Sequence, residues 1–298
     1  MYIPYFRGKQ FDLIGLRESV SMGLVGKSTF PLIEPVRDSK QLLKTLGKFV
    51  EKQQEILVVV NPEVGQVQKG MTKLHGWEEF YDCPYVTPVY IINHAFEAED
   101  MLRGEYVFLS TNYIRDKLEK LAKTHQPKYH IISDVARLRR QIKTNRVLLT
   151  DPFTKLNHGA DYLELEDEFY CDDYKFIKED GYIGFSNYGI DGEHYYDKGF
   201  PSRTVVLHIL YLDRYNSIRI KHFASDSNES HENPKVKFNE ALGKLVKWQN
   251  YFSKEIPLTV GLSELVSYYY SGEYLGPGTV KKLLVMHQLE LMGKISSP

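Results

Sequence analysis

Short apolar runs alternate with helical stretches along the first two thirds of this chain. The run Ile56–Val60 is continuously aliphatic, which is typical of a strand buried on both faces. Between such runs, Gln10–Met22 places Leu13, Leu16 and Val20 on one helical face. The pattern predicts eight strands: Tyr2–Phe6, Phe30–Ile33, Ile56–Val60, Val86–Ile92, Tyr106–Leu109, Tyr129–Ile132, Arg146–Leu149 and Tyr182–Phe185.

This alternation predicts an α/β fold built on a parallel sheet. Eight strands favour a closed (β/α)8 barrel, similar to a TIM barrel, over an open doubly wound sheet. No Gly-x-Gly-x-x-Gly motif opens the first helix, and the chain has no Walker loop. A dinucleotide-binding Rossmann domain is therefore disfavoured. Further helices are predicted from Ser39 or Asp38, over Gln66–Tyr81, and from a cap at Thr111 or Asn112.

The pattern changes in the second half of the chain. Asp151–Asp180 is rich in acidic residues and shows no regular helix, while Val205–Leu212 and Ile218–Ala224 read as an antiparallel hairpin after the eighth strand. Helices are then predicted from Pro234 to the C-terminal end. We expect residues 1–255 to form the barrel, with the hairpin insertion at 205–224, and residues 256–298 to form a helical extension packed on it.

Composition narrows the class of protein. Hydrophobic residues make up 42% and charged residues 26% of the chain, as in ordinary globular proteins, and the net charge is −1. That charge provides no global attraction to nucleic acid or to an anionic membrane. The N-terminus resembles no signal peptide, and no apolar run is long enough to span a bilayer. We therefore expect a cytoplasmic protein with two reduced thiols, Cys83 and Cys171.

Polar residues follow the predicted strands, and in a barrel those positions converge on one mouth. Carboxylates there could hold a divalent metal such as Mg²⁺ or Mn²⁺, and we assign that role to Glu34 and Asp151. Arg7 and Lys9 are placed to bind a phosphate or carboxylate. The alternative is that these are ordinary polar loop residues and helix caps. The full set of strand-end residues is Arg7, Glu34, Asn61, Asn93, His94, Asp134, Asp151 and Asp191.

The hairpin makes a sharper geometrical prediction. If its loop is Asp213–Ser217, then His208 lies directly opposite His222. Two facing imidazoles could share a metal or act as acid and base on one substrate. The alternative is a pair of hydrogen-bonded core histidines among the aliphatic side chains of the same face. The acidic stretch Asp161–Asp173 could likewise bind cations, although such a run is more often a solvated face.

Two segments resemble one known family. Tyr5-Phe6-Arg7-Gly8-Lys9-Gln10-Phe11-Asp12-Leu13, followed by Pro31-Leu32-Ile33-Glu34-Pro35-Val36, is similar to the start of the phage Beta protein family. Gly184-Phe185-Ser186-Asn187-Tyr188, with His208, Tyr211, Asp213 and Ile220-Lys221-His222-Phe223, resembles a bacterial prophage branch of it. The resemblance extends to about Leu245. It implies a barrel-like fold and a role in conflicts with phages or mobile elements, and it carries over no catalytic residue. The family-like positions are Arg7, Lys9, Glu34, His208, His222 and Asp226.

Two hypotheses about function follow. The first is a metal-dependent, phosphodiesterase-like hydrolase acting on a nucleotide or nucleic acid at the barrel mouth, beneath the hairpin. The second is a non-catalytic sensor or scaffold subunit that binds a protein encoded nearby, in a phage-defence or toxin-type module. For the enzyme the candidate residues are His208, His222 and Asp226 for catalysis, Arg7, Lys9, Asn61 and Asp191 for binding, and Glu34 and Asp151 for metal.

Overall fold

A closed barrel of eight parallel strands forms the centre of the protein. The computed structural model describes residues 1–67, 75–101, 104–197, 203–252 and 258–296. Each barrel strand pairs with the next barrel strand along the chain, and the last one closes the barrel against the first. The predicted α/β barrel is confirmed. The barrel strands are β1 (Tyr2–Phe6), β2 (Leu32–Ile33), β3 (Ile56–Val59), β4 (Val86–Ile91), β5 (Val107–Ser110), β6 (His130–Ser133), β7 (Arg146–Thr150) and β9 (Gly184–Asn187).

Helices connect several of these strands along the outside of the barrel. Ser39 caps the second helix as predicted, because its side chain accepts a hydrogen bond from the Gln41 amide at 3.1 Å. The predicted cap at Thr111 or Asn112 is wrong: the third helix is preceded by Ile114, which supplies no side-chain cap. The helices are α1 (Gln10–Ser21), α2 (Lys40–Glu51), α3 (Arg115–Thr124), α4 (Ala136–Gln141), α5 (Asp173–Phe176), α6 (Pro234–Tyr251), α7 (Val260–Ser271) and α8 (Pro277–Ser296).

The helix predicted over Gln66–Tyr81 falls partly on residues 68–74, which lie outside the described residues. Its described C-terminal part contains only a 3-10 turn at Trp77–Phe80. Gly76 precedes this turn with a φ of 84°, a conformation that glycine adopts without a steric penalty. Trp77 and Phe80 are buried and join the core outside the barrel. Gly76 therefore marks a turn within the segment predicted to be helical.

Side chains alternate between the inside and the outside of the barrel, as the pleat of a strand requires. On β1, Ile3 and Tyr5 belong to the interior core, whereas Tyr2 and Phe6 belong to the cluster packed around the outside. Near the carboxyl ends of the strands the Tyr5 and Tyr188 rings meet edge to face, with centroids 4.7 Å apart. The interior is thus a packed core rather than a pore, as in other small barrels.

The acidic segment contains a strand that the sequence reading missed. Residues Asp167–Cys171 form β8, which pairs antiparallel with β11 (Ile218–Ala224), and β11 pairs antiparallel with β10 (Val206–Leu212). The predicted hairpin is therefore part of a three-stranded sheet of order β10-β11-β8. The acidic stretch is solvated at Asp161, Glu164 and Glu166, but Asp167 is matched by basic and hydroxyl partners across the sheet. It accepts hydrogen bonds from Arg219 at 2.8 Å and Tyr211 at 2.7 Å.

The C-terminal helices cover both this sheet and the barrel. Leu207, Ile209 and Phe223 of the sheet share a core with α6, α7 and α8. The opposite face, including Leu210 and Ile220, joins the cluster around the outside of the barrel. Helix α8 also packs along α1 and β1. In the part of the chain that the structure describes, no helix is both long and apolar enough to cross a membrane.

Candidate functional site

The alternation of side chains continues past the ends of the strands and directs polar residues toward the barrel mouth. Tyr5 and Leu149 face the interior, so the residues two positions later, Arg7 and Asp151, lie on the same inward side. Glu34 follows Leu32 in the same way. Three of the predicted site residues are therefore brought to one end of the barrel by strand geometry alone.

Arg7 and Glu34 form an ion pair whose side chains are only 11% and 0% exposed. The Glu34 oxygen that contacts Arg7, Oε2, also accepts a hydrogen bond from the Tyr5 hydroxyl at 2.7 Å. The other oxygen, Oε1, accepts one from the Glu63 amide at 2.7 Å. Burial, followed by the Glu34 charge, raises the pKa of Tyr5 well above its ordinary value, so Tyr5 stays protonated and donates. The Arg7 guanidinium also lies 5.1 Å from the ring centroid of Tyr188.

A continuous chain of hydrogen bonds extends from this pair around the mouth. Arg7 donates to the Glu193 carbonyl at 2.5 Å, and the Glu193 amide donates to Asp151 at 2.8 Å. On the other side, Asn93 donates to the Glu63 carboxylate at 2.7 Å. The chain links residues that follow β7, β9, β1, β2, β3 and β4. These hydrogen bonds join residues from distant parts of the sequence. We call the connected set Asp151, Glu193, Arg7, Glu34, Glu63 and Asn93 the arc.

Asn61 is engaged by the backbone of a neighbouring strand, and its binding role stays a prediction. Its amide donates to the Ile91 carbonyl and its carbonyl accepts from the Ile91 amide, both at 2.8 Å. These two bonds tie the end of β3 to the end of β4. Asp134 is also engaged outside the arc, in an ion pair with Arg139. The strand-end position of a polar residue therefore does not by itself bring it into the arc.

Asp191 belongs to a second charge cluster, formed with Asp12 and Lys281 between the barrel and α8. Lys9 lies beside this cluster. The Lys281 ammonium contacts Asp12 at 2.7 Å and Asp191 at 2.6 Å, and Asp12 is fully buried. Burial favours the neutral amine of Lys281, but the two carboxylates outweigh it and raise its pKa. Burial and the neighbouring Lys281 charge lower the pKa of Lys9, whose ammonium lies 5.1 Å from the Tyr195 ring centroid.

The predicted metal ligands Glu34 and Asp151 reach the same arc but do not form a ligand set. Both oxygens of Glu34 already accept hydrogen bonds from protein groups, and one oxygen of Asp151 accepts from the Glu193 amide. Within the described ranges, no group of three or more His, Cys, Asp or Glu side chains is arranged to hold a metal. The Mg²⁺ or Mn²⁺ cofactor stays a prediction.

The two hairpin histidines face each other as the sequence predicts. His208 pairs with His222 in the β10–β11 register, and their Nδ1 atoms are 2.7 Å apart. Burial, followed by the neighbouring His222, lowers the pKa of His208 from 6.5 to about 3. Burial also lowers the pKa of His222. Both rings contact the rings of Phe153 and Tyr162, with centroid distances between 4.6 and 6.4 Å. At neutral pH the pair is uncharged.

Sequence reasoning missed the partner of this pair, Glu168 on β8. Its carboxylate lies 3.3 Å from His222 Nε2. The signal available was the β-favouring run Phe169-Tyr170-Cys171, which the surrounding acids concealed. The third predicted catalytic residue, Asp226, is 71% exposed and forms an ion pair with Lys244 at 2.7 Å. Lys244 and His222 line one pocket, and the lining of that pocket does not include Asp226.

A pocket of about 310 Å³ opens between the sheet and α6. Its charged wall carries three lysines and one glutamate, and its apolar wall carries aromatic rings. Such a combination of an apolar wall and a few convergent polar groups is typical of small-molecule sites. The lining residues are Tyr162, Leu163, Glu166, Lys221, His222, Phe223, Ala224, Lys244, Lys247 and Trp248.

Comparison of the chain with models of protein families, with curated proteins and with solved structures found no match. The resemblance to the phage Beta protein family therefore stays a prediction that depends on the residues quoted above.

Proposed function

We propose that the protein binds a phosphate-bearing ligand, a nucleotide or a nucleic acid end, in the pocket between the sheet and α6. The observation that carries this proposal is the convergence of Lys221, Lys244 and Lys247 on one pocket. Lysine ammonium groups are point charges suited to phosphate oxygens. The barrel mouth supports this ligand class less well, since Arg7 is already paired with Glu34.

The three lysines are engaged to different degrees. Lys244 is held by the Ala224 carbonyl at 2.8 Å and by Asp226. Lys221 has only long contacts, 3.9 Å to Glu166 and 3.8 Å to Asp167. Lys247 is exposed and makes no ion pair with any described residue. The pocket therefore offers positive charge that the protein does not neutralise.

An aromatic wall beside these charges supports a nucleotide rather than a bare phosphate. Trp248 is half-buried and is fixed by an edge contact with Tyr211 and a tilted contact with Phe223, at 5.2 Å and 5.5 Å between ring centroids. A ring held in this way can accept a base by stacking, which contributes about 1–3 kcal/mol per base in single-stranded nucleic acid complexes.

Calorimetric titration with ATP, pyrophosphate and adenosine tests the proposal. We expect ATP to bind more tightly than adenosine, and Lys247→Gln to weaken ATP binding by about tenfold or more, since one charge-assisted hydrogen bond contributes about 1.5–3 kcal/mol. Lys235→Gln is the matched control, because Lys235 is an exposed lysine of the same helix outside the pocket. Equal affinities for ATP in the two variants would contradict the proposal.

The same titrations, repeated with Mg²⁺ or Mn²⁺ and followed by product analysis, test whether the ligand is also a substrate. Metal-dependent release of phosphate or of a nucleotide monophosphate, lost in Glu34→Gln but not in Lys235→Gln, would support the predicted hydrolase. Binding without turnover under all of these conditions would leave a binding protein and refute the enzyme.

Exposed tyrosines on the C-terminal helices favour a second candidate function, binding of a protein partner. Tyr251 on α6 is 83% exposed and Tyr270 on α7 is 67% exposed. Exposed tyrosines of this kind are enriched in protein interfaces. Co-purification of a protein encoded nearby, lost in Tyr251→Ser/Tyr270→Ser and retained in Lys247→Gln, would support a scaffold role. Retention in both variants would argue against these two tyrosines as contacts with a partner.

A further inference from the structure

Glu168, His222 and His208 form a line of hydrogen-bonded groups across the three-stranded sheet. The Glu168 carboxylate lies 3.3 Å from His222 Nε2, and His222 Nδ1 lies 2.7 Å from His208 Nδ1. His222 is buried, with no exposed side-chain surface, and Glu168 is 17% exposed. Each residue comes from a different strand, in the order β8, β11 and β10.

The positions of the protons in this line follow from the donors and acceptors. A carboxylate can only accept, so His222 Nε2 must carry the proton that Glu168 receives. A neutral His222 then has a bare Nδ1 atom, and His208 must donate its own Nδ1 proton to it. A neutral His208 that is protonated on Nδ1 has a free electron pair on Nε2. The line therefore selects one of the two tautomers of His208.

The Nε2 atom of His208 has no hydrogen-bond partner among the described residues, and the side chain is only half-buried. The rings of Phe153 and Tyr162 flank it, with centroids 5.1 and 4.8 Å from the imidazole. The Tyr162 hydroxyl is occupied by the Thr154 carbonyl at 2.8 Å, so it does not compete for this nitrogen.

We propose that His208 Nε2 is a proton-accepting site, served by a relay through His222 to Glu168, for a bound water or a ligand hydroxyl. The O–H bond of the ligand breaks and its proton bonds to His208 Nε2. The Nδ1 proton of His208 moves to His222 Nδ1, while the Nε2 proton of His222 stays directed at Glu168. The products are a hydroxide or alkoxide, a neutral His208, and a His222 imidazolium beside the Glu168 carboxylate.

The charges around the relay support this end state. Burial is the largest influence on the pKa of His222 and lowers it, as Lys221 on β11 also does, whereas Glu168 and Asp167 on β8 favour its charged form. The two carboxylates outnumber the single ammonium, so positive charge is better accommodated on His222 than on His208. His208 does not line the lysine pocket. His222 does line that pocket, but the proton-accepting atom proposed here is on His208, so a failure of phosphate binding would not overturn it.

Nuclear magnetic resonance of protein labelled with ¹⁵N in its histidine rings tests the tautomer directly. At neutral pH we expect His208 to show a protonated Nδ1 and an unprotonated Nε2, and His222 to show the reverse. A His208 protonated on Nε2 would overturn the proposal. Assignment uses His208→Gln and His222→Gln, and circular dichroism shows whether each variant remains folded.

Glu168→Gln distinguishes a proton relay from a purely structural role of Glu168. A carboxamide can donate as well as accept, so the preference for one tautomer should be lost, and the resonances of His208 should shift toward the Nε2-protonated form. Acylation of His208 by diethyl pyrocarbonate, mapped by mass spectrometry, should slow in parallel. Glu166→Gln is the matched control, since Glu166 is an exposed neighbour with no side-chain bond to either histidine. Identical tautomers and acylation rates in Glu168→Gln and the unaltered protein would overturn the relay.

Discussion

The guanidinium of Arg7 and the carboxylate of Glu34 meet where the first two barrel strands end, and almost no solvent reaches either group. The Tyr5 hydroxyl and the Glu63 amide complete the hydrogen bonds of Glu34. A buried pair of this kind contributes little net stability compared with apolar groups, but breaking it leaves a charge without compensation. The pair therefore fixes the ends of the first two strands relative to each other more than it adds to the stability of the fold.

Arg7→Met should lower the free energy of unfolding by about 3–5 kcal/mol, because it leaves the Glu34 charge buried without a cation. The double variant Arg7→Met/Glu34→Gln removes both charges and should be more stable than Arg7→Met alone. Equilibrium unfolding in urea measures both values. Glu34→Gln is measured as the second single variant. If the loss in the double variant equals the sum of the losses in Arg7→Met and Glu34→Gln, the two residues do not interact.

Lys281→Met should be strongly destabilising for a related reason. It removes the cation between Asp12 and Asp191, and Asp12 is fully buried where α8 packs on α1. We expect a loss of about 3–5 kcal/mol in urea unfolding. The control is Lys294→Met, which breaks a more exposed pair with Glu290 in the same helix. The loss in Lys294→Met should stay below about 1 kcal/mol. Similar losses in both variants would contradict the conclusion that Lys281 compensates a buried charge.

Stability should fall as the pH drops below about 6.5, the range in which free histidine becomes charged. The pKa of His208 is lowered to about 3 in the folded protein, so the unfolded chain binds protons that the folded chain does not. The free energy of unfolding should therefore decrease by up to about 1.4 kcal/mol per pH unit for each such group. Urea unfolding between pH 7.5 and 4.5 should show a smaller slope in His208→Gln/His222→Gln. An unchanged slope would mean that the pair is protonated in the folded state.

Gly261 and Gly47 are both helical glycines, but their substitution by alanine should have opposite effects. A β-carbon on Gly261 would lie 2.3 Å from the Leu283 carbonyl oxygen, so α7 would have to move away from α8. A β-carbon on Gly47 would meet nothing within 4 Å. We expect Gly47→Ala to stabilise the protein by about 0.5–1 kcal/mol and Gly261→Ala to destabilise it. Thermal unfolding distinguishes the two, and a neutral Gly261→Ala would show that the helix contact adjusts freely.

Sequence reasoning succeeded where local pattern decides structure. The aliphatic run Ile56–Val60 became β3, and the five-residue loop Asp213–Ser217 set the register that brings His208 opposite His222. It failed for β8, because Asp167 and Glu168 belong to a strand only through partners on β10 and β11. Strand propensity evaluated residue by residue does not include such cross-strand partners.

The sequence by itself determined the barrel strands, the hairpin register and the meeting of Arg7, Glu34 and Asp151 at one mouth, because the alternation of a strand and the length of a turn are local properties. Only the tertiary structure decided which of those residues pair with each other. Arg7 is bound to Glu34, Lys281 is held between Asp12 and Asp191, and Glu168 reaches His222. These contacts join residues far apart in the chain. A buried charge is stabilised by whichever opposite charge lies close to it in space, and the sequence does not show which one that is.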